Sequence, residues 1–425
     1  MGNIPVEPPG RLQTKYTNTP KGLHTLPAHQ GHMNDIAKHF HRIVLAMLNL
    51  SVAASAQDLD SAVQHALQYA DRQLRNSVEE LGDSVRIPRS TLPDGSWHTL
   101  PPRAWTSGFF PGCLWYMYEF TKDPFYKTAA RRWTEVLHEI KYYGGSHDVG
   151  FIVFNSYGNG YRLKPSDAYK EVIHQTAQTL TTRFNPTVGC IRSWDHGKWN
   201  YPVIVDNMMN LELLFWSAEN GGSERMRTVA VTHAENTMQH HFREDGGTYH
   251  VIDFDTTTGA ILARKTHQGY ADESVWSRGQ AWAIYGFTMT YRFTKDDRFL
   301  RTAQRAADYF ISRLPEDHVP YWDFQAPNIP NEERDASAAA IASSALFELS
   351  GYGGDEARRA RYRDAAENIL KSLCSKAYLA EGTPSSGILL HAVGSKPGPF
   401  EVDVSIVYAD YYFIEALLRY LKSKE

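Results

Sequence analysis

Asp123-Pro-Phe-Tyr-Lys-Thr-Ala129 and Asp297-Arg-Phe-Leu-Arg-Thr-Ala303 are two renderings of one phrase: an acid, then an aromatic and an alanine at helical spacing. Weaker versions occupy 167–182, 224–238 and 361–373, and 59–81 supplies a first member. Each is amphipathic with charge on one face, the pattern of a helix packed on one side only. Between them lie segments of a second kind, at 106–120, 148–160, 203–219, 274–294, 335–350 and 405–422, which carry apolar and aromatic residues nearly all round. A helix apolar on every side is a buried one. Six outer helices alternating with six inner ones, at a spacing of tens of residues, mark a repeat architecture. Two such layers closed on themselves make an all-α fold, an α6/α6 barrel, with the inner N-termini facing one rim. An open solenoid would need polar terminal repeats, and 405–422 is too apolar to be one.

The connecting loops are long and rich in Gly, Pro, Asp, Trp and His, notably 83–105, 184–202, 245–273, 316–334 and 379–404. Segment 247–265 alternates around a Thr/Gly turn and reads as a β-hairpin. Long structured loops at one end of a barrel are where a site belongs.

Over 425 residues the hydrophobic share is 42%, ample for a large core, and the aromatic share of 12% serves either core packing or sugar stacking. The formal net charge of −4 comes from interspersed acids and bases, with no basic tract of the nucleic-acid-binding kind. An acidic substrate therefore needs a locally basic pocket. Cys113, Cys190 and Cys374 form neither a disulfide scaffold nor a zinc-type spacing, and the two that lie in apolar runs read as buried thiols. Basic residues at 38–42, an apolar run at 43–52 and Ala54-Ser-Ala56 before Gln57 follow the order of a secretory signal. Residues 33–56 are thus read as an export signal to the periplasm, 1–32 as a disordered leader or overlong start, and 57–425 as one catalytic domain. No other stretch approaches the roughly 20 apolar residues of a membrane span, so no membrane partner is expected for the mature form.

Phosphate-loop, dinucleotide, zinc-protease and nucleophile-elbow motifs are all missing. His233, His240 and His241 fall on an outer helix and read as solvated rather than as a metal face. Carboxylates and histidines are left to do acid–base chemistry. Asp148 and Asp206 stand at the starts of buried helices, where an acid ordinarily serves as a cap. With Pro202 taken as the first helical turn, Asp206 lies one turn inside, among Val, Ile and Met. Burial there raises a carboxyl pKa, as a general acid requires. Trp276-Ser-Arg-Gly-Gln-Ala-Trp282 places two tryptophans and the Arg278 fork at another inner helix start, and the fork suits a carboxylate. Trp105, Trp194-Asp195-His196, His250 and His267-Gln268 belong to segments that could converge on the same rim.

Taken together, W-T-x-G-F-x-P-G from Trp105, H-D-x-G-F from His147, P-V-I-V-D-N-x-M-N-L from Pro202, T-H-Q-G-Y-x-D-x-S-x-W-x-R-G-Q-A-W from Thr266 and D-x-S-x-x-Y-A-D-Y-Y-F from Asp403 resemble the unsaturated glucuronyl hydrolases, glycoside hydrolase family 88. The likeness runs in order from about residue 60 to the end. It implies an α6/α6 barrel that needs no cofactor and removes a 4,5-unsaturated uronic acid from lyase-generated glycosaminoglycan oligosaccharides. It further implies that Asp206 is the general acid/base and Asp148 a second essential carboxylate. On this reading Asp148 holds ring hydroxyls and keeps Asp206 protonated by like-charge repulsion. His250, Gln268 and Arg278 would contact substrate, and His147 would sit near the uronate. Trp105, Trp194, Trp276 and Trp282 would line the pocket, and Ser395 and Lys396 would meet the next sugar or its sulfate. Gln280 matches the motif but reads as structural. Two rivals stay open: an unsaturated rhamnogalacturonyl hydrolase acting on pectin fragments, and a non-catalytic sugar-binding barrel.

Overall fold

The computed structural model describes residues 59–425, so the readings of 1–32 and 33–56 lie outside the described residues. The outer helices are α1 (residues 59–81), α3 (Pro124–Glu135), α5 (Asp167–Thr181), α7 (Glu224–His240), α9 (Asp297–Ser312) and α11 (Glu356–Leu373). The inner ones are α2 (Phe109–Thr121), α4, α6 (Asn207–Glu219), α8 (Ser277–Thr294), α10 (Ala336–Leu349) and α12 (Val407–Lys422). Helix α4 starts as Val149–Val153, passes through a π-helical turn at Phe154–Gly158 and resumes over Asn159–Leu163. Each inner helix packs on the next around the ring, and α12 packs back on α2. That closing contact makes a barrel and rules out the open solenoid.

The two layers begin differently. Most outer helices start with a side-chain cap: Asp123 accepts from Phe125 N–H, Ser166 from Tyr169 N–H, Ser223 from Arg225 N–H and Asp355 from Arg358 N–H. In α9 the cap is Asp296, which accepts from Arg298 N–H, so Asp297 is the first helical residue and the repeated phrase is out of step by one. Both phrases follow a left-handed lysine, Lys122 or Lys295, that ends the preceding inner helix. Five of the six inner helices, by contrast, start with no side-chain cap, Asp335 of α10 being the exception. Side chains at those starts are left free to face the rim.

Short antiparallel sheets decorate that rim: β1 (Ile87–Thr91) with β2 (Trp97–Leu100), β3 (Phe184–Asn185) with β4 (Cys190–Ile191), and β8 (Ala392–Ser395) with β9 (Phe400–Val404). The hairpin expected at 247–265 is β6 (Val251–Phe254) paired with β7 (Ile261–Lys265), and β5 (Pro202–Ile204) adds a third strand. Pro202 therefore opens a strand. The β-branched run Val203-Ile204-Val205 favours extended backbone, the helix starts only at Asn207, and Asp206 is its N-cap residue. The surface assignment of the α7 histidines also needs correction. His233 is buried and accepts from Ile191 N–H, and buried His241 donates through Nε2 to Val203 O, so both fasten α7 to the strands. No described helix is long and apolar enough to cross a membrane.

Candidate active site

The inner helix starts and the long loops enclose a cleft of about 580 Å3, within the range of small-ligand pockets. Its walls include Trp105, His147, Asp148, Trp194, Asp206, His267, Gln268, Arg278 and Tyr408. The β5–β6 pairing sets its floor. Val205 N–H donates to His250 O at 3.1 Å, so Asp206 follows directly beside His250. His250 is 3% exposed and lies against the Trp276 ring, 4.5 Å between centroids. Its Nδ1 accepts from the backbone N–H groups of His267 (3.2 Å) and Gln268 (3.3 Å). Burial holds its pKa well below the usual histidine value. The ring is thus neutral, and its proton sits on Nε2, 3.6 Å from Asp206 Oδ2.

Asp206 Oδ2 is buried and has no hydrogen-bond partner. Although Asp206 stands at an N-cap, it caps nothing. Burial raises its pKa from 3.8 to about 7. The Arg278 charge and the Trp282 indole N–H pull the other way, and the Asp148 charge adds a smaller upward push. Desolvation, not repulsion by Asp148, therefore keeps this carboxyl protonated near neutral pH.

Asp148 has different surroundings. Ser146 Oγ donates to its Oδ2 at 2.8 Å, and His147 Nε2 lies 3.2 Å from its Oδ1. Asn210 orients that histidine, since its Nδ2 reaches His147 Nδ1 at 3.2 Å while its Oδ1 accepts from Phe151 N–H. A β-carbon on Gly150 would come within 2.5 Å of Asn210 Oδ1, so the glycine is what lets α4 start this close to α6. His147 is buried, and burial lowers its pKa, so a neutral ring donates to Asp148.

Of the residues singled out from sequence, Asp206, Asp148, His147, Trp105, Trp194, Asp195, His196, His267, Gln268 and Arg278 line the cleft. His250, Trp276, Trp282, Ser395 and Lys396 do not. Trp282 is fully buried against Phe151 and Tyr412, and Trp276 backs His250 and the Arg278 guanidinium. Trp105 and Trp194 thus line the cleft, whereas Trp276 and Trp282, expected there too, are buried and do not. The Arg278 fork, assigned to substrate, is engaged within the protein: Nη1 donates to Asp335 Oδ2 at 3.0 Å and to Val393 O, and Nη2 donates to Gly394 O at 2.6 Å. Gln268 Nε2 donates to the same Gly394 carbonyl at 2.9 Å. Ser395 is buried and accepts from Gly398 N–H, while Lys396 is held by Glu332 and Glu333, so neither lines the cleft. Gln280 is structural, bonded to Thr248, Gly246 O and Ala306 O. Arg89, Arg103, Tyr143, Phe400 and Tyr408 line the cleft without having been singled out. Tyr408 stood inside a motif already noted, whereas Arg89 and Arg103 carried no signal beyond their place in a long loop.

Two carboxyls in unlike environments, one kept protonated by burial and one engaged as an acceptor, are the division of labour by which carbohydrate-cleaving enzymes work. An aromatic-walled cleft at the open rim of an α6/α6 barrel places this chain among the glycoside hydrolases. Comparison with known proteins resolves the group. The family described as Glycosyl Hydrolase Family 88 matches residues 77–413. An unsaturated glucuronyl hydrolase of Formosa agariphila is 47% identical over 340 residues, 78% of this chain and 84% of that one. An unsaturated chondroitin disaccharide hydrolase of Streptococcus pyogenes is 32% identical over 368 residues, 85% of this chain and 91% of that one. The crystal structure of an unsaturated glucuronyl hydrolase specific for heparin superposes with a TM-score of 0.83 at 43% identity, covering 86% of this chain and 98% of that one. The chain belongs to glycosyl hydrolase family 88 and is a glycoside hydrolase of the unsaturated glucuronyl hydrolase type.

Proposed function

We propose that this enzyme removes the 4,5-unsaturated uronic acid from the non-reducing end of lyase-generated glycosaminoglycan oligosaccharides, with Asp206 as its acid and base. The observation that carries this reading is the buried Asp206 carboxyl, protonated to about pH 7, with an unpartnered oxygen on the cleft floor. The substrate is a vinyl ether, electron-rich at C4. Asp206 gives its proton to C4, and positive charge develops across C5 and the ring oxygen. Water adds its oxygen to C5 and returns a proton to the Asp206 carboxylate, leaving a hemiketal. The C5–ring-oxygen bond then breaks to give a ketone at C5 and a hemiacetal at C1, which expels the aglycone as an alcohol. The carboxylate-separation rule for retaining and inverting glycosidases does not govern this path, because water attacks C5 and not the anomeric carbon. Asp148 keeps acceptor capacity for ring hydroxyls, oriented by Ser146 and His147. The neutral His250, its Nε2–H toward Asp206, supports either protonation state of that carboxyl.

The test follows the ultraviolet absorbance of the conjugated alkene in unsaturated chondroitin, hyaluronan and heparin disaccharides. Wild type should bleach it, and Asp206→Asn should lose about 10²- to 10⁴-fold in rate, the usual worth of a general acid. Bleaching confined to pectin-derived substrates would overturn the assignment in favour of a rhamnogalacturonyl hydrolase. Saccharide binding with no bleaching of any substrate would leave a binding barrel. Export follows from the reading of residues 33–56, and a secreted form whose N-terminus is near Gln57 would support it.

A further inference from the structure

We propose that the cleft continues into a second basin that binds the anionic groups of longer substrates, beyond the first sugar of the aglycone, through Arg192; this rests on the function proposed above. The basin is a separate concavity of about 480 Å3 whose lining includes Gly144, Arg183, Arg192, Asp195 and Tyr201. It adjoins the cleft along a single seam. Asp195 lines both hollows, and Gly144 on one side is followed by Gly145 on the other. Arg183 fixes that seam, its Nη1 donating to Gly144 O at 2.6 Å.

The charges along the seam do not cancel. Arg183 holds Asp195 through both ends of its fork, Nη1 at 2.9 Å and Nη2 at 3.0 Å. One cation thereby neutralises the one anion. Arg192 is then in excess. Asp195 is its one ion-pair partner among the described residues, at 3.3 Å from Nε, and that Nε makes no aligned hydrogen bond. On the cleft side of the same seam, Arg103 lies 5.5 Å from the Tyr143 ring and has no ion pair among the described residues. Arg103 and Arg192 thus flank residues 144–145 and 194–195, with Asp195 shared between Arg183 and Arg192, in a chain whose formal net charge is −4. They supply the local basic field that an anionic oligosaccharide requires. A tetrasaccharide carries a further uronate or sulfate along the chain, and the basin offers it the Arg192 guanidinium.

The test compares unsaturated di- and tetrasaccharides of hyaluronan and of chondroitin sulfate. Binding is measured by titration calorimetry in an Asp206→Asn background, and turnover in the otherwise wild-type enzyme. The tetrasaccharide should bind about three- to fivefold more tightly than the disaccharide, the scale of one partly exposed ion pair, and high salt should erase the difference. Arg192→Gln should remove the preference while leaving disaccharide binding within about twofold, and Arg192→Lys should restore most of it. Equal preference for hyaluronan and chondroitin sulfate would identify the uronate as the bound anion, and preference for the sulfated chain the sulfate. No chain-length preference in the Asp206→Asn background, or equal loss on both lengths in Arg192→Gln, would overturn the basin. Failure of wild type to bleach the disaccharide would instead overturn the proposed function.

Discussion

Replacing Asp206 with asparagine should cut turnover about 10²- to 10⁴-fold and at the same time make the protein more stable in a pH-dependent way. The rise of the Asp206 pKa from 3.8 to about 7 comes chiefly from burial. At about 1.4 kcal/mol per pH unit it corresponds to roughly 4 kcal/mol of stability withheld when the carboxyl is ionised in the folded protein. Water entering the cleft and relaxation of its walls lower this, so about 2 kcal/mol is the expected gain. The sign follows from proton counts. Below about pH 4 the folded and unfolded forms both hold the proton, and asparagine offers little. Between about pH 4 and 7 the folded form keeps a proton that the unfolded chain has released, so wild type loses stability with rising pH and the variant does not. Above about pH 7 the difference is complete. Other titrating groups, including Asp410, which burial also raises to about 7, are common to both proteins and cancel. Chemical denaturation of both at about pH 4, 6 and 8.5 measures the gap directly. A gap that stays constant with pH, or a variant less stable at high pH, would show Asp206 to be ionised and held by partners, and the argument for a protonated acid would fail.

The pH–rate profile should agree, with kcat/KM falling as pH rises through about 7 because the acid form disappears; a profile flat to about pH 9 would contradict it. Arg278→Gln should cost about 3–5 kcal/mol of stability, because it leaves the fully buried Asp335 without its ion-pair partner, and denaturant midpoints will show it. Asn210→Ala should lower stability by about 1–3 kcal/mol, since it strands a buried N–H at Phe151. It should also lower kcat by loosening His147 against Asp148, whereas an unchanged kcat would remove that positioning role. Cys113, Cys190 and Cys374 are buried, with burial pushing their thiols up, and should resist thiol reagents until the protein is unfolded.

Sequence patterning carried the architecture because period and burial are local properties. The all-round apolarity of 274–294 and 335–350 has one packing solution, an inner helix, and both segments are inner helices. Helix beginnings were less legible. Pro202 reads equally well as a first helical turn or a strand start, and only pairing with Asp253 across β6 decides for the strand. His233 and His241 stand on a charged outer helix in sequence, yet strands that arrive from distant loops cover them.

By itself the sequence determined that the chain is a closed double ring of helices and that Asp148 and Asp206, the two acids proposed to carry its chemistry, stand at inner helix starts. Only the tertiary structure decided what those acids are free to do. Neither caps its helix, burial and not the neighbouring charge holds the Asp206 proton, and the Arg278 fork is taken up by Asp335 and the 393–394 carbonyls. Periodicity is written residue by residue along the chain. Desolvation and charge compensation depend on which distant segments meet, and folding alone brings those together.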